Sequence, residues 1–502
     1  MSADPPSEPP PPGQAPGDGH DARATKGKVS RGIAWVGIAS AMVGVLDFVA
    51  IFIILAYWIP AEQYGIATKA VWMFPLLDLL TDLGMSAAVI REKLERPIVS
   101  TIFWLNLIAA MVLFGLLLVF APILALGFYG HVVVGQMLIA YGFKLLWQNV
   151  YFIPLANLKR ELRFKEISIA RILGNLVEFG VKLATAFLGF GVWCFVTGGL
   201  ARVLVFGLVA QWYHPWHPSF SFHPRLVWRH LKFGLQTSGS ALLAQIFGNI
   251  DYPIVGYFFG DKVLGMYKLA HEIIFEPVKM IAGIVVDVAF SAFARVRASR
   301  QLLVEQFLSF TTINLITVNT YLGIVFVAAD DIVGLFDASF AGAGAAVRLL
   351  SVVAILRSLG YVMPPLLDGT GRAAQTLTYM VLASIIMPVL FVLFAALLPQ
   401  LGLLAVPLAW IVGYPFAFAV LLGMSLRALG LPFGTYLREQ RLVWACTLVP
   451  VLVSFAVHEL YPWQSPLMRI LLVSAIAIML TMFLLHRLLN LSFVTAWRAL
   501  QA

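Results

Sequence analysis

A chain of 502 residues that is 61% hydrophobic and only 12% charged is a polytopic membrane protein, because its apolar runs reach the roughly 20 residues a helix needs to cross a bilayer. That excludes a soluble core, and the net charge of +9 does not argue for nucleic acid, since the basic residues lie in short segments between apolar spans. The two cysteines, Cys194 and Cys446, fall in distant spans and indicate neither a disulfide framework nor a metal site.

Residues 1–30, MSADPPSEPPPPGQAPGDGHDARATKGKVS, are rich in proline and polar side chains and are predicted to be a disordered cytoplasmic tail. No signal peptide is expected, because the first apolar run is long enough to stay in the membrane. Fourteen spans follow, near 33–58, 64–90, 101–126, 131–156, 167–189, 192–212, 233–259, 264–290, 304–329, 346–367, 374–398, 401–426, 442–460 and 466–488. They divide into an N-terminal lobe (31–212), a cytoplasmic linker (213–232), a C-terminal lobe (233–426) and two further helices with a tail (427–502).

The connecting segments alternate in charge. Lys26, Lys28 and Arg31 precede the first span, and clusters such as Arg91, Lys93 and Arg96, then Lys159, Arg160, Arg163 and Lys165, follow the second and fourth. The basic series continues with Arg225, Arg229 and Lys232, Arg295, Arg297 and Arg300, and Arg427, Arg438 and Arg441, whereas the opposite loops hold chiefly Glu62, Asp261, Lys262, Asp330, Asp331, Asp337 and Glu459. The positive-inside rule then predicts that both termini are cytoplasmic.

The chain also repeats itself. LDFVAIFIILAYWIPAEQYGIATKA in the first half is echoed by IDYPIVGYFFGDKVLGMYKLA, matching Asp47 with Asp251, Gly65 with Gly265 and Ala70 with Ala270. FIPLANLKRELRF and VMPPLLDGTGRAA form a second such pair. An even number of helices separates the copies, so two parallel six-helix bundles are expected, with the last two helices outside the scheme.

Charged residues inside the spans point to a wet interior. At the helical period, Arg171, Asn175, Glu178 and Lys182 fall within roughly 60° of one another, and Lys268, Glu272, Glu276 and Lys279 within roughly 80°. Each charge costs about 2.5–3.5 kcal/mol at a bilayer centre, so stripes of this kind line a cavity rather than face lipid. Intrahelical pairing alone would also account for Lys268 with Glu272, Glu276 with Lys279, and Glu178 with Lys182 or Arg171. Asp82 and Asp287 lie near span ends, where reaching water would suffice. Lys144, Arg202 and Arg357 sit near mid-span with no acid three or four residues away, so each needs a partner from another helix or from a ligand. Together with Arg171, Lys182 and Lys279 they suit an anionic group such as a diphosphate. Asp47 and Asp251, in the first helix of each lobe, are candidates for ion coupling, with pairing to a neighbouring lysine the alternative. The histidines of WYHPWHPSFSFHPRLVWRH (His214, His217, His223, His230) fit no closed metal site and read as a cytoplasmic linker.

A collinear series of segments resembles a known family. ILAYWIPAEQYGIAT with DLLTDLGMSAAVIR, then STIFWLNL, LKRELRFKEIS, GFGVWCFVTGGL, IDYPIVGYFFGDKVLGMYKLA and SVVAILRSLGYVMPPLLDGTGR are similar to the Wzx-type polysaccharide transporters of the multidrug/oligosaccharidyl-lipid/polysaccharide exporter superfamily. The resemblance, over about residues 30 to 430, implies two six-helix lobes around a central cavity. It also implies a flippase that moves undecaprenyl-diphosphate-linked oligosaccharide units to the outer leaflet of a bacterial inner membrane, without a cofactor. Membrane lipid and polymerase or co-polymerase proteins are the implied partners. The last two helices resemble the pair that accommodates the lipid tail in lipid II flippases. A multidrug or cation antiporter would instead be expected to line its cavity with acidic or aromatic groups. A polysaccharide polymerase or ligase would need a large external loop, and the longest one here is short.

Overall fold

A computed structural model describes residues 18–82, 85–91, 94–223, 242–460 and 465–489, which are helical and contain no strand. The first half comprises α1 (Asp18–Tyr57), α2 (Ala61–Val71), α3 (Phe74–Asp82), α4 (Met85–Arg91), α5 (Arg96–Leu124), α6 (Val132–Arg160), α7 (Phe164–Phe187) and α8 (Trp193–Tyr213). The second comprises α9 (242–249), α10 (Asp251–Val296), α11 (Arg300–Val327), the short α12 (Ala329–Val333), α13 (Ala343–Gly369), α14 (Ala373–Leu397) and α15 (Ala405–Leu429). The chain closes with α16 (Phe433–Leu460) and α17 (Pro466–Leu489).

Nine of the described helices are long and apolar enough to cross a membrane, among them Trp35–Tyr57 of α1, Trp193–Tyr213 and Arg300–Val327. The other five expected spans fall on α2–α4, α6, α7 and the two parts of α9–α10. These are the helices that carry most of the interior charges, which lower their hydropathy, or whose helical run is broken.

Three boundaries differ from expectation. α1 begins at Asp18, inside the segment read as tail, because Pro16 is the last proline before Pro60 and nothing between them removes a helical N–H. The expected span at 64–90 is instead three short helices, α2 to α4; Pro75, at the second position of α3, donates no hydrogen bond and restarts the ladder there. α10 runs across the junction of two expected spans, and only Gly260 leaves helical geometry (φ 80°, ψ −176°), a conformation suited to glycine. Residues 225–232 and the start of the seventh expected span lie outside the described residues.

In the first half α1 packs on α7, α7 on α8, α8 on α6 and α6 on α5, while in the second α10, α11 and α15 pack on α13 and α14 packs on α15. α16 and α17 pack on each other and on α11, and both are tied to α12 through Asp331, which receives His458 of α16 at 2.7 Å and Arg469 of α17 at 2.5 Å.

The two halves meet closely where α2 packs on α10. A Cβ on Gly65 would stand 1.9 Å from the Asp261 carbonyl oxygen, and one on Gly265 would stand 1.8 Å from that of Ala61. Each repeat glycine therefore faces the carbonyl four residues before the other, a reciprocal contact only glycine permits. Around it, Asp261 receives Lys69 and His131, each at 2.6 Å. The Ala61 N–H donates to Ser339 Oγ at 2.8 Å, and the Asp337 N–H donates to the Leu55 carbonyl at 3.2 Å.

Candidate substrate cavity

α7 organises the site. Asn175, Glu178 and Lys182 are buried, whereas Arg171, one turn nearer the start of the helix, is exposed. The stripe therefore turns away from the apolar exterior, as its charges require. Glu178 is the hub: Lys182 Nζ lies 2.6 Å from one carboxylate oxygen and Arg202 Nη1 of α8 lies 3.1 Å from the other. Gly198 of α8 makes room for the lysine stem, since a Cβ there would come within 2.3 Å of Lys182 Cγ. Asp47 of α1 stands 4.0 Å from Lys182 Nζ.

Lys144 of α6 pairs with Asp78 of α3 and donates to the Tyr141 hydroxyl. Lys144 and Arg202, which have no acid at helical spacing, thus take their carboxylates from other helices. A buried cation with no partner would be strongly unfavourable, and bundle packing supplies a partner that spacing along one helix cannot reveal.

Beside this network lies a cavity of about 450 Å³, with Ser40, Lys144, Tyr151, Arg171, Asn175 and Arg202 as its polar lining. No carboxylate is among its described lining residues. Arg171 Nη1 reaches Ser40 Oγ at 3.4 Å, and Asn175 donates to the Arg171 carbonyl at 2.8 Å. The buried Asn175 side-chain oxygen has no hydrogen-bond partner among the described residues.

The second half arranges its polar groups differently. Lys268 and Glu272 pair at 2.7 Å, as do Lys279 and Glu276, the latter pair exposed. Both have the intrahelical spacing expected from the sequence. Asp251 is buried and accepts from the Tyr267 hydroxyl at 2.6 Å, and Tyr267 in turn accepts from Trp410 Nε1 at 3.2 Å. Arg357 is buried between two rings, its guanidinium carbon 4.3 Å from the Phe275 centroid and 4.6 Å from that of Trp410. Its Nη1 has no hydrogen-bond partner among the described residues.

Of the residues singled out in the sequence, the structure brings Lys144, Arg171, Asn175 and Arg202 around one cavity, with Asp47, Glu178 and Lys182 behind it. Asp251, Glu272, Glu276, Lys279 and Arg357 belong to separate arrangements on the other bundle. Asp47 and Asp251 are not equivalent in surroundings, since one is partly exposed near a lysine and the other is sealed under tyrosine. Asp78, Tyr141, Phe275, Tyr267 and Trp410 were not among the expected site residues. Only Asp78 carries a sequence signal, a charge within a span. The side chains of Asp82 and Asp287 lie outside the described residues, as does His230. His214 contacts Glu161 at 3.3 Å, and no cluster suited to a metal occurs among the described residues.

Comparison with known proteins agrees with this architecture. The family described as "Polysaccharide biosynthesis protein" matches residues 54–336. The chain is 27% identical over 355 residues to the teichuronic acid biosynthesis protein TuaB of Bacillus subtilis (strain 168), covering 69% of this chain and 72% of that one. It is 25% identical over 361 residues to the lipopolysaccharide biosynthesis protein WzxC of Escherichia coli (strain K12), covering 69% and 70%. Its fold is that of the lipid II flippase MurJ in an inward closed conformation, with a TM-score of 0.73 at 13% identity, covering 91% of this chain and all of that one.

Proposed function

The chain belongs to the polysaccharide biosynthesis protein family, and from that premise we propose that it is a flippase for an undecaprenyl-diphosphate-linked oligosaccharide in a bacterial inner membrane, with both termini cytoplasmic. The observation that carries this reading is the cavity lined by Lys144, Arg171 and Arg202 and by no carboxylate among its described lining residues. A diphosphate and sugar hydroxyls cannot cross hydrocarbon bare, so the headgroup needs a hydrated passage while the polyprenyl tail remains in lipid. Arginine forks and a lysine point charge match phosphate oxygens. An exporter of cationic drugs would want the opposite sign.

Alternating access follows as the mechanism. By the positive-inside rule the reciprocal glycine contact and the Lys69–Asp261–His131 cluster lie on the outer side, so this conformation is closed outward, and Arg171, near the start of α7, stands toward the basic cytoplasmic end. The headgroup would enter at Arg171 and descend to Arg202 and Lys144. Separation of α2 from α10 would then release it outward. Asp47, partly exposed beside Lys182, is the better placed coupling acid; Asp251 would need Tyr267 to move. Arg357, with its unpartnered Nη1, would join the contacts when the bundles rearrange. Polymerase and co-polymerase proteins would receive the product.

Transfer of an undecaprenyl-diphosphate-linked oligosaccharide between leaflets of proteoliposomes tests the reading. Arg171→Ala should slow transfer about tenfold, the value of a lost charge-assisted contact, with an unchanged melting temperature because Arg171 is exposed. Wild-type transfer by this variant would remove Arg171 from the site. Wild-type protein that moves only cationic drugs would restore the antiporter reading.

A further inference from the structure

A lipid-linked diphosphate presents three chemistries in a fixed order: hydrocarbon, charged diphosphate, polar sugar. The first bundle presents three surfaces in the same order. Next to the polar cavity lies a second one of about 400 Å³ between α6 and α8, lined by Phe143, Leu146, Trp147, Val150, Leu200 and Leu204. Phe143, Val150 and Leu204 are exposed on the apolar exterior, so this crevice opens where acyl chains lie. Lys144 and Val203 line both cavities. Lys144 therefore stands at the threshold between an apolar crevice and a polar cavity.

Two further features keep that threshold in place. Trp147 Nε1 donates to the Val203 carbonyl at 3.1 Å, joining α6 to α8 at the shared wall. A Cβ on Gly207 would lie 2.7 Å from both Trp147 Nε1 and Tyr151 Cδ1, so the glycine is what lets these rings lie on α8. An ammonium has three donors, and Asp78 and Tyr141 take two of those on Lys144, leaving one to turn toward a phosphate oxygen. Among the described residues α16 packs on α11, and α17 on α11 and α12, all in the other half.

We infer that the isoprenoid chain of the substrate lies in the α6–α8 crevice, with Lys144 holding the diphosphate at its mouth. The inference rests on the flippase reading and assigns the tail to the first bundle rather than to the last two helices. Bilayer hydrocarbon is as apolar as a leucine-lined crevice, so the crevice contributes passage and register, not a hydrophobic gain. Obstructing it would leave a bound diphosphate with its tail misdirected into the polar cavity.

The test uses full-length protein in nanodiscs and compares binding of undecaprenyl diphosphate with that of geranyl diphosphate, whose short chain needs no exit. Leu204→Trp and Val150→Trp fill the crevice from positions 44% and 38% exposed, so two independent variants guard against a folding failure, and melting temperature checks both. Each should bind undecaprenyl diphosphate about tenfold more weakly, the size of an overpacking clash, and geranyl diphosphate as wild type does. Leu452→Trp, on the exposed face of α16, should leave both unchanged. Unaltered long-chain binding in the two crevice variants, equal loss for both chain lengths, or long-chain loss in Leu452→Trp instead would each overturn the crevice while leaving the flippase reading standing. Wild-type protein that does not bind undecaprenyl diphosphate would overturn both.

Discussion

In the first bundle Lys182 and Arg202 share Glu178 at 2.6 and 3.1 Å, with Asp47 and the Lys144–Asp78 pair close by. In the second, Arg357 has no carboxylate in contact among the described residues and lies instead between Phe275 and Trp410. The repeat thus conserves the interface glycines but not the electrostatics. In the first bundle, Lys144, Arg171, Lys182 and Arg202 face Asp47, Asp78 and Glu178, which leaves one positive charge unmatched around an open cavity. Such a network can exchange partners with an anion at small cost, because Lys144, Lys182 and Arg202 each keep an acid within reach. A guanidinium clamped by rings has fewer alternatives, and changing its surroundings requires the bundle to move.

The largest effect should come from cutting the network at its hub. Glu178→Gln leaves the buried Lys182 and the half-buried Arg202 without their shared carboxylate, which should cost about 3 kcal/mol and abolish transport. Adding Lys182→Met to Glu178→Gln should recover part of the stability, since one stranded cation is removed. Melting temperatures equal to wild type for the single variant would mean that the two cations are already solvated, and the contrast between the bundles would dissolve.

Next in size is the place where the bundles are alike. Gly65→Ala and Gly265→Ala each drive a methyl into a backbone carbonyl of the other half, a clash of about 1–3 kcal/mol that only separation of α2 from α10 relieves. Both should raise thiol labelling of a cysteine introduced by Ser339→Cys, because Ser339 bonds across the same seam. Similar increases are expected from the two variants, as the contact is reciprocal; an increase from one alone would show that the halves are not related there.

That contact also marks how far sequence reaches. The repeat match of Gly65 with Gly265 was legible, as were the helical class, the polar stripe of α7 and the pairs Lys268–Glu272 and Lys279–Glu276, all of which depend on spacing along one helix. Contacts between helices were not. Nothing at helical spacing links Lys144 to Asp78 or Arg202 to Glu178, because the relative rotation and height of two helices are set by packing over their whole length. The aromatic clamp on Arg357 was hidden for the same reason: Phe275 and Trp410 read as ordinary apolar residues in other spans.

Arg357 gives the third prediction. Arg357→Met keeps most of the volume, relieves a buried charge and forfeits ring contacts worth about 1–2 kcal/mol. Transport should fall while the melting temperature moves less than half as far as in Glu178→Gln, and Arg357→Lys should recover transport only in part, since an ammonium lacks the fork. At Glu178 function and stability are lost together; here they should separate. A stability loss as large as that of Glu178→Gln would show that Arg357 is held by a carboxylate after all, with Asp251, linked to Trp410 of the clamp through Tyr267, the first to test.

The smallest effect isolates burial from spacing. Lys182 and Lys279 each pair with a glutamate on their own helix, Lys182 with Glu178 at 2.6 Å and Lys279 with Glu276 at 2.7 Å, yet the lysine side chains are 10% and 44% exposed. Solvent screens the second pair and keeps either partner hydrated when the other is removed. Lys279→Ala should therefore change stability by no more than about 0.5 kcal/mol, whereas Lys182→Ala strands part of the Glu178 charge in a buried network and should cost several times as much. Because folding is left intact, transport by Lys279→Ala is a clean reading of whether that cation meets the substrate: a drop without a change in melting temperature would add it to the proposed anion site, and unchanged transport would remove it from that site. Equal melting-temperature losses for the two lysine variants would mean that the second bundle buries its charges as deeply as the first.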